Sequence, residues 1–144
     1  MNFEVKYPLV VAAVYLWIGF VCAISFMEAW LKFRAPGVDM PIGLGIGRLV
    51  FNALNKIEWI FVIVISMNLL LGRENIFAHP HLFFILPLLL HFVQTFWLLP
   101  ALDARAELRI NGQNVPPSYL HIYFIIAEVV KVSCLFIYSI RLFK

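Results

Sequence analysis

The sequence predicts an all-α protein: a polytopic integral membrane protein built as an antiparallel bundle of four transmembrane helices. Three observations carry that prediction. Hydrophobic residues make up 63% of the 144 residues and charged residues only 13%, whereas soluble domains run near half apolar and about a quarter charged. The mean hydropathy is +0.92. The apolar residues fall into four runs, at about 7–30, 44–71, 82–102 and 118–139. Each is close to the ~20 residues that a helix needs to cross ~30 Å of hydrocarbon. The runs and their short connections use up 1–144, so a single transmembrane domain is expected and no soluble one.

Charge and motifs narrow the function classes. A net charge of +3 spread over loops and ends suits contact with the anionic headgroups of a lipid bilayer and makes no case for nucleic acid. Cys22 and Cys134 sit inside apolar runs and read as small buried hydrophobes. The chain has no CxxC, HExxH, GxGxxG, P-loop or GxSxG pattern, so the cofactor is unknown. A homo-oligomer is compatible with the sequence.

The first span follows Lys6 and resembles a signal peptide in outline, but it is read as retained. Tyr7 and Pro8 suit its start, and no charge appears from Pro8 to Met27. Cys22, Ser25, Glu28 and Lys32 then recur at helical spacing, with Glu28 and Lys32 in the favourable i, i+4 order. Ala35-Pro36-Gly37 ends this helix, and Asp39 ahead of Met40-Pro41 caps the next. Gly43 and Gly47 are four apart and admit a close neighbour.

The clean apolar run of span 2, Ile57 to Leu71, is too short for a bilayer, so the helix has to begin earlier. That draws Arg48, Asn52, Asn55 and Glu58 towards the membrane, on one face within about 120° of one another. His79 and His81 read as interfacial loop residues. Span 3 carries His91, Gln94 and Thr95 on one face, with Pro87 a turn earlier as the expected kink. Asp103 to Asn114 is the most hydrophilic stretch and is expected as a loop. In span 4, His121, Glu128 and Lys131 share a face.

Laid antiparallel, the four spans gather these polar residues in one leaflet. Each charge inside a span costs ~2.5–3.5 kcal/mol on insertion scales, so the charges should face inward and pair. The pairs expected are Glu28 or Glu58 with Arg48, and Glu128 with Lys131. A common pocket follows. Glu58, Glu28, His91 and Glu128 are its candidate acids and bases. Arg48, Asn52, Asn55, Gln94, His121, Lys131, Asp103 and Arg105 are its candidate ligand-binding groups. Glu58, His91, His121 and Glu128 lack the paired Glu-x-x-His of carboxylate di-iron bundles, so no metal is expected. The loops beside this leaflet carry Lys32, Arg34, Arg48, Arg105 and Arg109, against Lys6, Arg73, Arg141 and Lys144 opposite. That balance leans loops 1 and 3 towards the cytoplasm of a multi-pass cell-membrane protein, the inner membrane if the source is bacterial.

The runs SFMEAWLKFRAPGV, GIGRLVFNALNKIEW and FWLLPALDARAEL resemble small four-span bacterial membrane proteins of unknown function. These are similar in turn to a eukaryotic transmembrane protein family linked to cisplatin resistance. The resemblance covers most of the chain and implies the four-span fold. It supplies no catalytic residues, and the dense charge from Arg48 to Glu58 departs from it. Leaning on it, the favoured reading is a one-sided pocket for binding or transport of a small polar or amphiphilic ligand. The alternative is an intramembrane enzyme using Glu/His acid–base chemistry on a lipid-like substrate. The third reading is a structural or partner-binding membrane subunit.

Overall fold

The computed structural model describes residues 5–143. Four of its helices are long and apolar enough to cross a membrane: α1 (Pro8–Arg34), α2 (Met40–Leu71), α3 (His79–Ile110) and α4 (Leu120–Arg141). The described residues contain no strand, and Val5 and Phe143 make an isolated antiparallel bridge. Lys144 lies outside the described residues. Helix α1 packs against α2 and α4, and α3 packs against the same two.

The core follows from spacing. Val10, Val14, Trp17 and Val21 recur at i, i+4, i+7 and i+11 along α1 and are fully buried. They meet Val62, Ile65 and Leu69 of α2, Phe84 of α3, and Leu135 and Tyr138 of α4. The outward faces are equally apolar: Leu9, Leu16, Ile60, Ile63, Phe96 and Ile126 are all exposed.

Local chemistry sets the ends of the helices. Ala35, which precedes Pro36, is extended (ψ 135°), because the proline ring disfavours helical backbone there. Asp39 Oδ1 accepts from the Ile42 amide at 2.9 Å, as its place before Met40-Pro41 led one to expect. Arg73, at φ 53°, takes the left-handed position that closes α2, so Glu74 N–H reaches Leu69 O at 3.0 Å.

Helix α3 overturns one expectation. Asp103 to Asn114 is not a loop, because the helix runs on to Ile110. Ala101, Leu102, Ala104, Ala106, Glu107 and Leu108 are strong helix formers, and polarity alone does not stop a helix. Gly112 stops it. At φ 75° this residue lets Gln113 N–H reach Leu108 O at 3.0 Å, while its own N–H reaches Arg109 O at 3.1 Å.

Two helices widen locally. Residues Cys22–Glu28 of α1 and Gln94–Leu98 of α3 are π-helical. At Pro87, where a kink was expected, the segment Leu82–Val93 stays α-helical although the proline has no N–H to give to Phe83. The irregularity falls one turn ahead of Pro100, which lacks the N–H that would have bonded to Phe96. Both wide turns bring polar side chains inward.

Candidate functional site

The polar residues do not form one pocket. They divide into a sealed ionic cluster at the centre of the four helices and an open cavity near the connections between α1 and α2 and between α3 and α4.

Each helix contributes to the sealed cluster. Lys131 of α4 lies at its centre, with no exposed surface. Its Nζ is 2.5 Å from Glu58 Oε1 and 2.9 Å from Glu128 Oε1. Trp17 Nε1 donates to Glu58 Oε1 at 2.8 Å. Gln94 Nε2 donates to Glu128 Oε1 at 2.5 Å, and Ser25 Oγ donates to Glu128 Oε2 at 2.8 Å. Ser25 and Gln94 both lie on the π-helical turns, which aim them at α4. His91 lies between the Trp17 and Trp59 rings, with centroids 6.1 and 4.8 Å away. Its Nδ1 is 3.5 Å from Glu58 Oε2, and neither ring nitrogen has a hydrogen-bond partner among the described residues. Glu58 is 3% exposed, while His91 and Glu128 are fully buried, so no substrate reaches these groups without opening the helices.

One layer towards the cavity, Thr95 Oγ1 accepts from Asn55 Nδ2 at 2.8 Å and from Trp59 Nε1 at 3.2 Å. Thr95→Val keeps the shape and leaves two part-buried donors without an acceptor. Thermal unfolding in detergent should show a loss of about 1–3 kcal/mol.

The cavity encloses about 170 Å³. Ala29, Phe33, Leu44, Phe51, Leu99, Leu102, Ala106 and Phe124 make an apolar wall, broken by Lys32, Arg48, Asp103 and His121. Arg48 clasps Asp103 with two bonds of 2.7 and 2.8 Å and touches Glu107 at 3.5 Å. Lys32 Nζ is 3.2 Å from Glu28 and lies over the Phe33 and Phe51 rings, at 5.5 and 5.7 Å. The two glycines admit this arrangement. A Cβ on Gly43 would lie 2.1 Å from the Phe33 ring, and one on Gly47 would lie 3.2 Å from Lys32 Nζ. The close neighbour expected of Gly43 and Gly47 is thus the end of α1.

Several expectations change accordingly. Arg48 pairs with Asp103, not with Glu28 or Glu58, because α3 continues past the membrane-length run and carries Asp103 on a helix face instead of in a loop. Glu58 pairs with Lys131, and the expected Glu128–Lys131 pair is present. Glu28 and Lys32 pair with each other, far along the chain from Glu58, so the four candidate acids and bases are not one constellation. Asn52 is exposed and donates to the Arg48 carbonyl of its own helix at 2.8 Å, beside the Arg48–Asp103 pair and not among the cavity-lining residues. Arg105 reaches the Pro116 carbonyl and ties the α3–α4 connection, rather than lining the cavity. His121 is largely exposed but lines the cavity. At the opposite end His81 is buried and not in a loop, with Nδ1 3.0 Å from Tyr138 Oη, while His79 remains exposed. The roles of Trp17 and Ser25 were missed. Ser25 was visible in the stripe that ends at Lys32, whereas nothing in the sequence marks Trp17 as the donor to Glu58.

No protein-family model, curated protein or solved structure matches this chain.

Proposed function

We propose that the chain is a multi-pass membrane protein, an antiparallel four-helix bundle, that holds a small amphiphile with an acidic headgroup in the edge cavity. The observation that carries the ligand reading is the cavity itself: an apolar wall with spare hydrogen-bond donors at its edge. Both oxygens of Asp103 are engaged by Arg48. Lys32 has one acidic partner, at 3.2 Å, which leaves two N–H groups for a ligand. Arg48 is taken up by Asp103 and Glu107, so the free donors are those of Lys32, which can receive an acceptor or anionic oxygen of the ligand.

Size narrows the class. A dry cavity of about 150 Å³ is known to take a benzene-sized molecule, so 170 Å³ suits a short alkyl segment and not a drug-sized body. The membrane reading is supported by the exposed Leu, Ile and Phe on all four helices. The antiparallel reading is supported by two contacts between helix ends. Lys6 before α1 meets Glu74 after α2 at 3.1 Å, and Arg48 early in α2 meets Asp103 late in α3. Occupancy of the cavity is the step that binding and transport share. The enzyme reading has no such support, since Glu58, His91 and Glu128 are sealed.

The test compares decanoate, decanol and decyltrimethylammonium binding to purified protein in nanodiscs. Decanoate should bind most tightly. Ala106→Trp, which fills the cavity, should abolish binding of all three. Lys32→Met should weaken decanoate by about tenfold to a hundredfold and leave decanol unchanged, as for the loss of a charge-assisted hydrogen bond. Unaltered decanoate binding in Ala106→Trp would overturn the proposal.

A further inference from the structure

The sealed cluster lies apart from the proposed ligand cavity and poses a separate question, that of its charge. Two carboxylates, Glu58 and Glu128, face one ammonium, Lys131, and one imidazole, His91. The groups that meet them are drawn from all four helices. Helix α1 supplies Trp17, Ser25 and the free thiol Cys22, of which only Cys22 titrates, and an ordinary thiol is neutral at neutral pH. Helix α2 supplies Glu58, α3 supplies His91 with the neutral Gln94, and α4 supplies Glu128 and Lys131. With both carboxylates ionised and His91 neutral, the cluster carries one uncompensated negative charge where Glu58 is 3% exposed and the other three groups are fully buried. An unpaired buried charge is among the most unfavourable arrangements a protein core can hold.

The two carboxylates are not equivalent. Glu128 has donors on both oxygens, from Lys131 and Gln94 on Oε1 and from Ser25 on Oε2. The ionised form of Glu128 is therefore satisfied. Glu58 takes Trp17 and Lys131 on Oε1 alone, while its Oε2 makes no hydrogen bond among the described residues and lies 3.5 Å from His91 Nδ1. That ring nitrogen has no other partner among the described residues. We propose that the cluster is a proton-binding site: it holds one proton between Glu58 Oε2 and His91 Nδ1, as carboxylic acid or as imidazolium, and is neutral as a whole. The proton cancels the surplus charge; the Nδ1–H tautomer of a neutral ring would supply Glu58 Oε2 with a donor but leave that charge in place. The site stands independently of what fills the edge cavity, and its test leaves the cavity residues unchanged.

The test reads the proton directly in protein reconstituted in phosphatidylcholine nanodiscs. Infrared spectra should show the C=O stretch of a buried carboxylic acid that disappears in Glu58→Gln. Failing that, nitrogen NMR of labelled histidine should show an imidazolium that disappears in His91→Gln. Glu58→Gln removes one negative charge, so that variant needs no extra proton. Glu128→Gln gives the same count and replaces it if Glu58→Gln does not fold. The linkage follows in sign. The unfolded chain has released this proton above about pH 7, so the native state binds one more, and stability falls as pH rises. From about pH 7 to about pH 8 the unfolding constant of the wild type should rise about tenfold more than that of Glu58→Gln. Absence of both spectroscopic signals, or equal pH slopes in the wild type and the variant, would overturn the proposal.

Discussion

Lys131→Met should be the most damaging single substitution in this protein, with a stability loss of about 3–5 kcal/mol. The side chain is fully buried, and among the described residues its ammonium is the only cation within 4.0 Å of either Glu58 or Glu128, apart from a His91 that has to be protonated to count. Methionine fills much the same volume, so the loss is one of charge and hydrogen bonds and not of packing. Two carboxylates would then share a buried site with no ammonium beside them, and the proton held between Glu58 and His91 offsets only one of the two charges. For a chain of this length such a loss corresponds to a fall in melting temperature on the order of 10 °C. Adding Glu58→Gln to Lys131→Met should recover more than half of it, because Glu128 retains Gln94 and Ser25 as donors. Adding Arg48→Gln instead should recover nothing, since Arg48 pairs with Asp103. Thermal unfolding of the two double variants in one detergent decides the matter. A Lys131→Met loss below about 1 kcal/mol would mean that the cluster is not what ties α2 to α4.

Trp17→Ala should cost nearly as much, about 3–5 kcal/mol, for a different reason. The ring is fully buried, stacks on Phe61 at 6.5 Å, abuts His91, and sends its indole N–H to Glu58. Alanine removes the packing, the wall of the His91 site and one donor of the carboxylate together. Trp17→Phe separates these contributions, because it keeps most of the ring and loses only the N–H. Its loss should be about 1.5–3 kcal/mol, the range for a hydrogen bond to a charged group. Equal losses for Trp17→Phe and Trp17→Ala would show that the indole N–H matters far more than the ring. Tryptophan fluorescence is a poor probe here, with Trp30, Trp59 and Trp97 in the background, so helicity on heating is the better measurement.

Much of this molecule was legible before any coordinates. Four apolar runs fixed the number of long helices, because apolar length is a one-dimensional property. Asp39 and Gly37 announced the α1–α2 turn, since capping and turn chemistry act within a few residues. The spacing of Glu128 and Lys131 placed them on one face of one helix, and their ion pair needs no partner helix to form. The end of α3 is marked by Asn111-Gly112 and not by the onset of polarity at Asp103, because helix propensity carries the helix through polar residues and Gly112 ends it.

Only the tertiary structure decided which charges meet. Arg48 and Glu58 lie on one helix face ten residues apart, about 15 Å at 1.5 Å per residue, and no local rule says that one belongs to Asp103 and the other to Lys131. That division depends on the vertical register of α3 and α4 against α2. The register in turn depends on packing and on the wide turns at Cys22–Glu28, which has no proline or other sequence signature, and at Gln94–Leu98, where Pro100 marks the place but not the inward turn of Gln94. Composition and spacing thus determined that polar groups had to lie inside an apolar, four-helix molecule. The register of those helices alone determined that they form a sealed ion cluster and a separate open cavity, because electrostatic pairing acts over a few ångströms, a distance set between helices and not along one.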